Sequence, residues 1–355
     1  MSLDGTTMKN SEFDTVVAMS GGVDSTVAAY LSQRQGFRVI GVNLQMLPDQ
    51  EKDETLIKAC AEMGIPLIYR DCVEPFSRRV LEVCAAEYAA GRTPNPCCEC
   101  NVALKFREIF AAADELGIKR VVTGHYVQLQ QTEGHCCIAG AADQVKDQSY
   151  FLYRLSQEEL QRLYLPLGAF TKSEVRRQAA AAGLHCAVRP DSQDACFQIP
   201  GECCGDTLLR LCGMRGRGGR FRYQGKVVGR HAGIHRFTIG QRQGLGVALG
   251  VPAYIKSIDA ASGDIELCTD QNELLCQEFT VSRCVWQSIP VPETAMECMV
   301  KVRYRTRGVR AVFIPGADSE SGRVEILEPV RAVTPGQAAV FYGDGVLLGG
   351  GVISR

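Results

Sequence analysis

Along the first 125 residues, short apolar runs alternate with stretches whose apolar positions recur at helical spacing, and each helical stretch closes at a glycine. FDTVVAMS (13–20) predicts a strand and STVAAYLSQRQ a helix ending at Gly36; FRVIGVNLQM predicts a strand and DETLIKACAEM a helix ending at Gly64. Strand PLIYRD leads into a helix ending at Gly91, then NVALKFREIFAAADEL ends at Gly117 and strand KRVVTGHYV follows. Glycine just past a helix accepts the left-handed conformation that ends it at little cost. Strand–helix alternation of this kind builds an α/β doubly wound parallel sheet covered on both faces, with ligands at the carboxyl ends of the strands.

From about 150 to 190 the pattern is helical, in QSYFLYRLSQEELQRLYL and TKSEVRRQAAAAG. Beyond 200 it becomes glycine-rich and basic, then β-rich in short runs such as FTVSRCVW, AMECMVKVRY, RAVFIPG and GRVEILE. Short strands punctuated by Gly, Pro and Asp turns predict a small barrel or sandwich over the last ~80 residues.

A chain of 355 residues exceeds one ordinary domain, so two or three are expected, and 46% hydrophobic with 22% charged residues is a globular composition. No run reaches the ~18 apolar residues that span a bilayer, and MSLDGTTMKNSEFD lacks the basic and apolar regions of a secretory leader, so a cytoplasmic protein without a membrane partner is expected. The net charge of −1 hides a segregation: residues 207–242 hold nine Lys and Arg and no Asp or Glu. A phosphate-binding surface on an otherwise acidic protein would look like this, as would a solvated basic loop.

SGGVDS (Ser20 to Ser25) lies between a predicted strand and a helix. Two glycines let backbone N–H groups close around an anion, the helix start adds partial positive charge, and Ser20 and Ser25 supply hydroxyls. The loop lacks the lysine of GxxxxGK[ST]. It resembles the PP-loop of ATP pyrophosphatases, which cleave ATP between the α and β phosphates, and Asp24 is placed to help hold the accompanying Mg²⁺.

Seventeen cysteines, an odd number, cannot all pair within one chain. Isolated ones such as Cys60, Cys84, Cys212 and Cys298 sit in apolar contexts and are expected in the core. RTPNPCCECN sets Cys97, Cys98 and Cys100 in a proline-stiffened loop at a helix start, where thiolate is favoured, and RPDSQDACF sets Cys196 in a polar loop. A persulfide carrier needs a second thiol to release its outer sulfur. A persulfide and resolving pair, an iron–sulfur or zinc site, and structural thiols all fit these cysteines.

SGGVDS, TPNPCCECN, VVTGHYV, KDQSYFLYRL, DSQDACF, HRFTIGQRQGLG and TPGQAAVFY, in one colinear order over nearly the whole chain, resemble the tRNA-specific 2-thiouridylase family. The resemblance implies a PP-loop ATPase domain (1–203), a small central tRNA-binding domain (204–274) and a C-terminal β-barrel (275–355). It implies ATP at Ala18, Met19, Ser20, Gly21, Gly22, Val23, Asp24, Ser25, Leu44 and Gly124, with Cys196 as persulfide carrier and Cys100 as the thiol that attacks it. It implies tRNA at Asn95, Pro96, Cys97, His125, Lys146, Asp147, Gln148, Tyr304, Arg305 and Gln337, through the anticodon arm and its wobble uridine; DNA is not an expected partner. A cysteine desulfurase or sulfur-relay protein would supply the sulfur.

One position departs. Much of the family reads PNPD where this chain reads Pro94-Asn95-Pro96-Cys97, so a carboxylate has become a thiol and general-base help from this position is in doubt. Cys97 is counted among the catalytic candidates, and Cys97, Cys100 and Cys196 could instead hold three irons of a four-iron cluster that binds sulfide.

His125 at a strand end serves either substrate contact or capping. KDQSYFL suits phosphate and an unstacked base, and equally the start of an amphipathic helix; KVRYRTRGVR is expected to align five basic residues on one strand face. Two rival functions remain: another PP-loop ligase acting on a small metabolite, which would not need tRNA or Cys196, and a non-catalytic tRNA-binding or sulfur-carrier protein, which would release no AMP.

Overall fold

A computed structural model describes residues 12–48, 52–132, 134–191 and 195–354. Residues 1–11, which bear on the expected absence of a leader, and residues 192–194 of the Cys196 motif lie outside the described residues. No described helix is long and apolar enough to cross a membrane. The chain divides into two compact units, one of 1–76, 99–193 and 344–347, the other of 77–98, 194–343 and 348–355. The boundaries expected at 203/204 and 274/275 both fall within the second unit.

The first unit is built on a parallel sheet. Strands β1 (Thr15–Ala18), β2 (Val39–Gln45), β3 (Leu67–Asp71) and β4 (Arg120–Val122) run in the order β3-β2-β1-β4, and Leu163–Tyr164 adds a fifth strand beside β4. β1 and most of β2 are apolar and largely β-branched, which suits strands covered on both faces. Helices α1 (Val23–Arg34) and α2 (Glu54–Met63) pack into one core with Val17, Val122 and Leu167. Asp53 caps α2 by accepting the N–H groups of Thr55 and Leu56, and Gly64 ends it at φ 64°. The strand order reverses between β1 and β4, which opens a crevice at their carboxyl ends.

The QRLYL stretch expected to be helical is the fifth strand from Leu163, because Leu163 and Tyr164 pair with Val121 and Val122. Residues 96–115 are continuously helical, with Asn101–Lys105 wound as a π-helical turn.

In the second unit, strands Gly219–Tyr223, Lys226–His231, Tyr254–Ile258 and Ile265–Cys268 form a four-stranded sheet over a core of Phe221, Ile255, Ile265 and Leu267. The last strands close on themselves: Leu275–Trp286 pairs with both Gly322–Arg331 and Val346–Ile353, so the expected small β domain is a barrel.

Candidate active site

After β1 the chain turns through Met19–Gly22 into α1. Gly21 sits at φ 79°, and a Cβ there would lie 2.6 Å from Asp53 Oδ2. Gly22 caps α1 without any side-chain hydrogen bond, which leaves the first N–H groups of the helix for a ligand. A hydroxyl clamp fixes the turn. Ser25 Oγ accepts the Ser20 N–H at 3.1 Å and lies 3.1 Å from Ser20 Oγ, while the hydroxyls of Ser25 and Thr26 donate to the Gly22 carbonyl at 3.1 and 3.0 Å. Asn43 Nδ2 donates to the Met19 carbonyl at 2.7 Å and ties β2 to the same turn. Gly124, just past β4, approaches so closely that a Cβ would meet Asp24 C and Ser25 N at 2.7 and 2.8 Å.

These segments surround a cavity of about 230 Å³ at the strand-order reversal. Of the residues expected to meet the nucleotide, Ala18, Met19, Ser20, Asp24, Ser25, Leu44 and Gly124 line it. Gly21 and Gly22 shape the turn, and Val23 packs into the core. His125 and Gln148, expected to meet tRNA, line the same cavity, with Asn43, Met46, Lys105, Ile109 and Thr123, which the motif reading did not single out. Their shared signal was position at the end of a strand or one turn along a helix from a motif.

An ion network closes one side of the loop. Lys172 Nζ donates to both Asp24 carboxylate oxygens at 2.7 and 2.8 Å and pairs with Asp191 at 2.8 Å; Asp191 also pairs with Lys146 at 2.9 Å and Arg176 at 2.7 Å. Burial works against the Asp191 charge, but Lys172 and Lys146 outweigh it and hold the carboxyl well below its usual range. The Tyr126 hydroxyl donates to Asp24 at 2.7 Å, and burial with that carboxylate pushes its pKa up, so it stays a donor. Arg189 donates to the Gly21 carbonyl at 3.0 Å and to Asp53 at 2.6 Å. Lys146, expected at the tRNA, is thus a member of this network. Its neighbour Asp147 is buried and accepts from the N–H and hydroxyl of Ser149.

His125 Nδ1 lies 2.8 Å from Thr123 Oγ1, and the ring stacks on Phe106. Burial, then the charge of Lys105, pushes its pKa down to about 3, so the imidazole is neutral at physiological pH.

The cysteine motif differs from its expected form. Pro96–Cys100 is the first turn of a helix rather than a loop, because the Asn95 side chain accepts the N–H groups of Cys97 and Cys98 at 3.1 and 3.2 Å, and proline suits the first helical position. Cys97 and Cys196 are the exposed cysteines of the chain; Cys98 and Cys100 are buried. Cys60, Cys84 and Cys298 are buried as expected, whereas Cys212 is only half-buried. Burial pushes the thiols of Cys60 and Cys298 up to about 11, which makes them inert. Among the described residues no three His, Cys, Asp or Glu side chains are grouped to hold a metal ion.

Within the second unit the loop before Cys97 is seated on the barrel. Gln337 Nε2 donates to the Thr93 and Pro94 carbonyls at 2.7 and 3.3 Å, and Thr93 donates its N–H to Pro335 at 2.9 Å. Gly336, at φ 92°, lets this contact form, since a Cβ would fall 3.0 Å from Thr93 backbone atoms. The KVRYR stretch is mostly a turn, not a strand face, because the strand ends at Lys301. Arg303 turns inward to the carbonyls of Ile239 and Ala332, while Tyr304 is half-buried and Arg305 exposed.

In the basic segment, acids from outside it neutralise part of the charge: Arg220 and Arg222 pair with Asp264, Arg210 with Glu202 and Arg236 with Asp206. Arg215, Arg217, Lys226, Arg230 and Arg242 remain exposed.

Comparison with known proteins adds three matches along the chain: a tRNA methyl transferase HUP domain model over residues 14–200, a tRNA methyl transferase PRC-barrel domain model over 208–269, and an aminomethyltransferase beta-barrel domain model over 276–353. Among similar curated proteins, the tRNA-specific 2-thiouridylase MnmA of Synechococcus sp. (strain JA-2-3B'a(2-13)) is 41% identical over 348 residues, covering 96% of this chain and 94% of the relative. That of Roseiflexus sp. (strain RS-1) is 40% identical over 380 residues, with 96% and 99% covered. That of Acidithiobacillus ferrooxidans (strain ATCC 53993 / BNL-5-31) is 39% identical over 345 residues, with 95% and 97% covered.

Proposed function

The chain belongs to the tRNA-specific 2-thiouridylase MnmA family, and from that premise we propose that it is a cytoplasmic tRNA-uridine 2-sulfurtransferase that converts ATP to AMP and pyrophosphate. The observation that carries this reading is the cavity at the strand-order reversal, where uncapped helix N–H groups and paired serine hydroxyls face a space lined by Leu44 and Gly124. That donor set fits a phosphate chain. Bound Mg²⁺, held by Asp24 and the phosphate oxygens, would neutralise the departing pyrophosphate.

The uridine C2 oxygen attacks the α-phosphorus as N3 gives up its proton, and the α–β P–O bond breaks with its electron pair leaving on pyrophosphate. The outer sulfur of a Cys196 persulfide then adds to C2 and AMP departs with the former C2 oxygen. A second thiol, Cys100, attacks the inner sulfur, forming a Cys100–Cys196 disulfide and releasing the thiolated base, which regains its proton. Cys100 is buried, so this step requires the helix start to open. A thiol reductant then restores both cysteines, and a cysteine desulfurase or sulfur-relay protein recharges Cys196. No step of this reaction runs through an iron–sulfur cluster.

Exposed Arg215, Arg217, Lys226, Arg230 and Arg242 of the 207–242 segment suit the phosphates of an anticodon arm, with Asn95, Pro96, Cys97, Tyr304, Arg305 and Gln337 about the flipped wobble uridine. Methyl transfer, named in two of the matched domain descriptions, would leave a phosphate cradle without a task. The test is incubation with ATP, Mg²⁺, tRNA and a persulfide donor, followed by nucleoside mass spectrometry and AMP quantification. One 2-thiouridine should form per AMP, and only with tRNA. AMP release without tRNA would favour a metabolite ligase; tRNA binding without AMP, a carrier; a methylated base, methyl transfer.

A further inference from the structure

Lys105 belongs to no motif identified above, yet it projects into the nucleotide cavity. Its placement follows from the helix. Asn101–Lys105 is a π turn, in which the Phe106 N–H reaches back to the Asn101 carbonyl, and such turns re-aim one side chain relative to the regular helix that follows. Lys105 and Ile109, four residues apart on one face, both line the cavity, while Leu104 and Phe106 on either side of Lys105 are fully buried. The π turn is anchored at its start by Asn101, whose Nδ2 donates to the Phe151 carbonyl at 3.1 Å.

Charge makes the placement informative. Lys105 is half-buried, and among the described residues no carboxylate lies within ion-pair distance of it. Among the cavity-lining residues it is the one cation, since His125 is held neutral partly by Lys105 itself. Lys172, the other lysine near the loop, is already engaged by Asp24 and Asp191. A half-buried ammonium without a counter-ion is costly unless a ligand brings the anion. In the reaction proposed above, pyrophosphate departs and leaves the α-phosphate behind, first in the uridine adenylate and then in departing AMP.

We propose that Lys105 is a catalytic residue that pairs with the α-phosphate through adenylate formation and AMP departure. This role rests on the adenylation reading. Lys105 contributes little to ground-state ATP binding, which the SGGVDS turn and Mg²⁺ provide, and acts on charge that develops at the α-phosphate.

The experiment measures tRNA-dependent pyrophosphate release under single turnover, and ATP affinity by calorimetry, for wild type, Lys105→Met, Lys105→Gln and Lys105→Arg, with thermal melting as a control for folding. Loss of a donor to developing charge slows such steps by about 100-fold or more. Met and Gln should show that loss with ATP affinity changed less than about threefold, and Arg should recover at least about tenfold of it. In Lys105→Ala, added ethylammonium should restore part of the rate, a rescue that a merely structural role would not give. Release by Met or Gln within about threefold of wild type would overturn the proposal, as would an effect confined to ATP affinity or an Arg variant as slow as Met. Failure of wild type itself to release pyrophosphate with tRNA would instead sink the adenylation reading.

Discussion

The SGGVDS turn and the Asn95–Cys100 turn both open a helix, and they use its start in opposite ways. At SGGVDS the capping position is Gly22, with no side-chain hydrogen bond, so the first N–H groups stay open to an anion. At the cysteine turn Asn95 satisfies the N–H groups of Cys97 and Cys98, so the helix start is closed to phosphate and presents a thiol at its exposed face. The same backbone feature becomes an anion hole or a thiol platform according to one capping residue.

The largest effect expected from this contrast is on sulfur transfer. Cys196→Ser should lower 2-thiouridine yield by at least about 1,000-fold while tRNA-dependent pyrophosphate release persists for one turnover, because activation and thiolation use different groups. Loss of both together would break the division of labour. Next, Gly124→Ala would drive a methyl into the Asp24–Ser25 backbone, and a shift of the cradle of this size is expected to cost about 100-fold in AMP formation. An unchanged rate would show that the close approach is incidental.

Smaller effects belong to stability. Lys172→Met leaves Asp24 and Asp191 facing each other without their shared cation, and after allowance for partial solvent screening should cost about 1–3 kcal/mol, read as a lower Tm. Asn95→Ala removes the cap of the cysteine turn at about 1 kcal/mol. It should loosen Cys97 and Cys98 toward thiol reagents while leaving ATP affinity untouched, and altered ATP affinity would argue that the two helix starts are not independent.

The two turns also differ in how far they could be read from residues alone. The SGGVDS loop was legible because everything that makes it is local: apolar strand, paired glycines, hydroxyls and helix stand within about twenty residues, and Gly36 and Gly64 marked the helix ends. The ion network was not legible, since Lys172 and Arg189 reach Asp24 and Gly21 from more than a hundred residues away, and Asp191 joins through Lys172. Leu163–Tyr164 read as helix because its strand character comes from pairing with Val121 and Val122, a tertiary term that overrides local pattern. Likewise the five bases of KVRYRTRGVR implied one face only while the segment was taken as a strand; the strand stops at Lys301 and Arg303 turns inward. Cys97 and Cys98 were placed outside the helix because two prolines suggested a loop, whereas Pro96 sits where a helix tolerates it best.

The claim on which the account turns is that ATP activates the very oxygen that sulfur replaces. It is tested most directly with tRNA whose wobble uridine carries ¹⁸O at C2, incubated with the protein, ATP and a persulfide donor, with the released AMP examined by mass spectrometry. The account predicts AMP bearing the heavy oxygen in step with 2-thiouridine formed; 2-thiouridine accompanied by AMP without the label would contradict it.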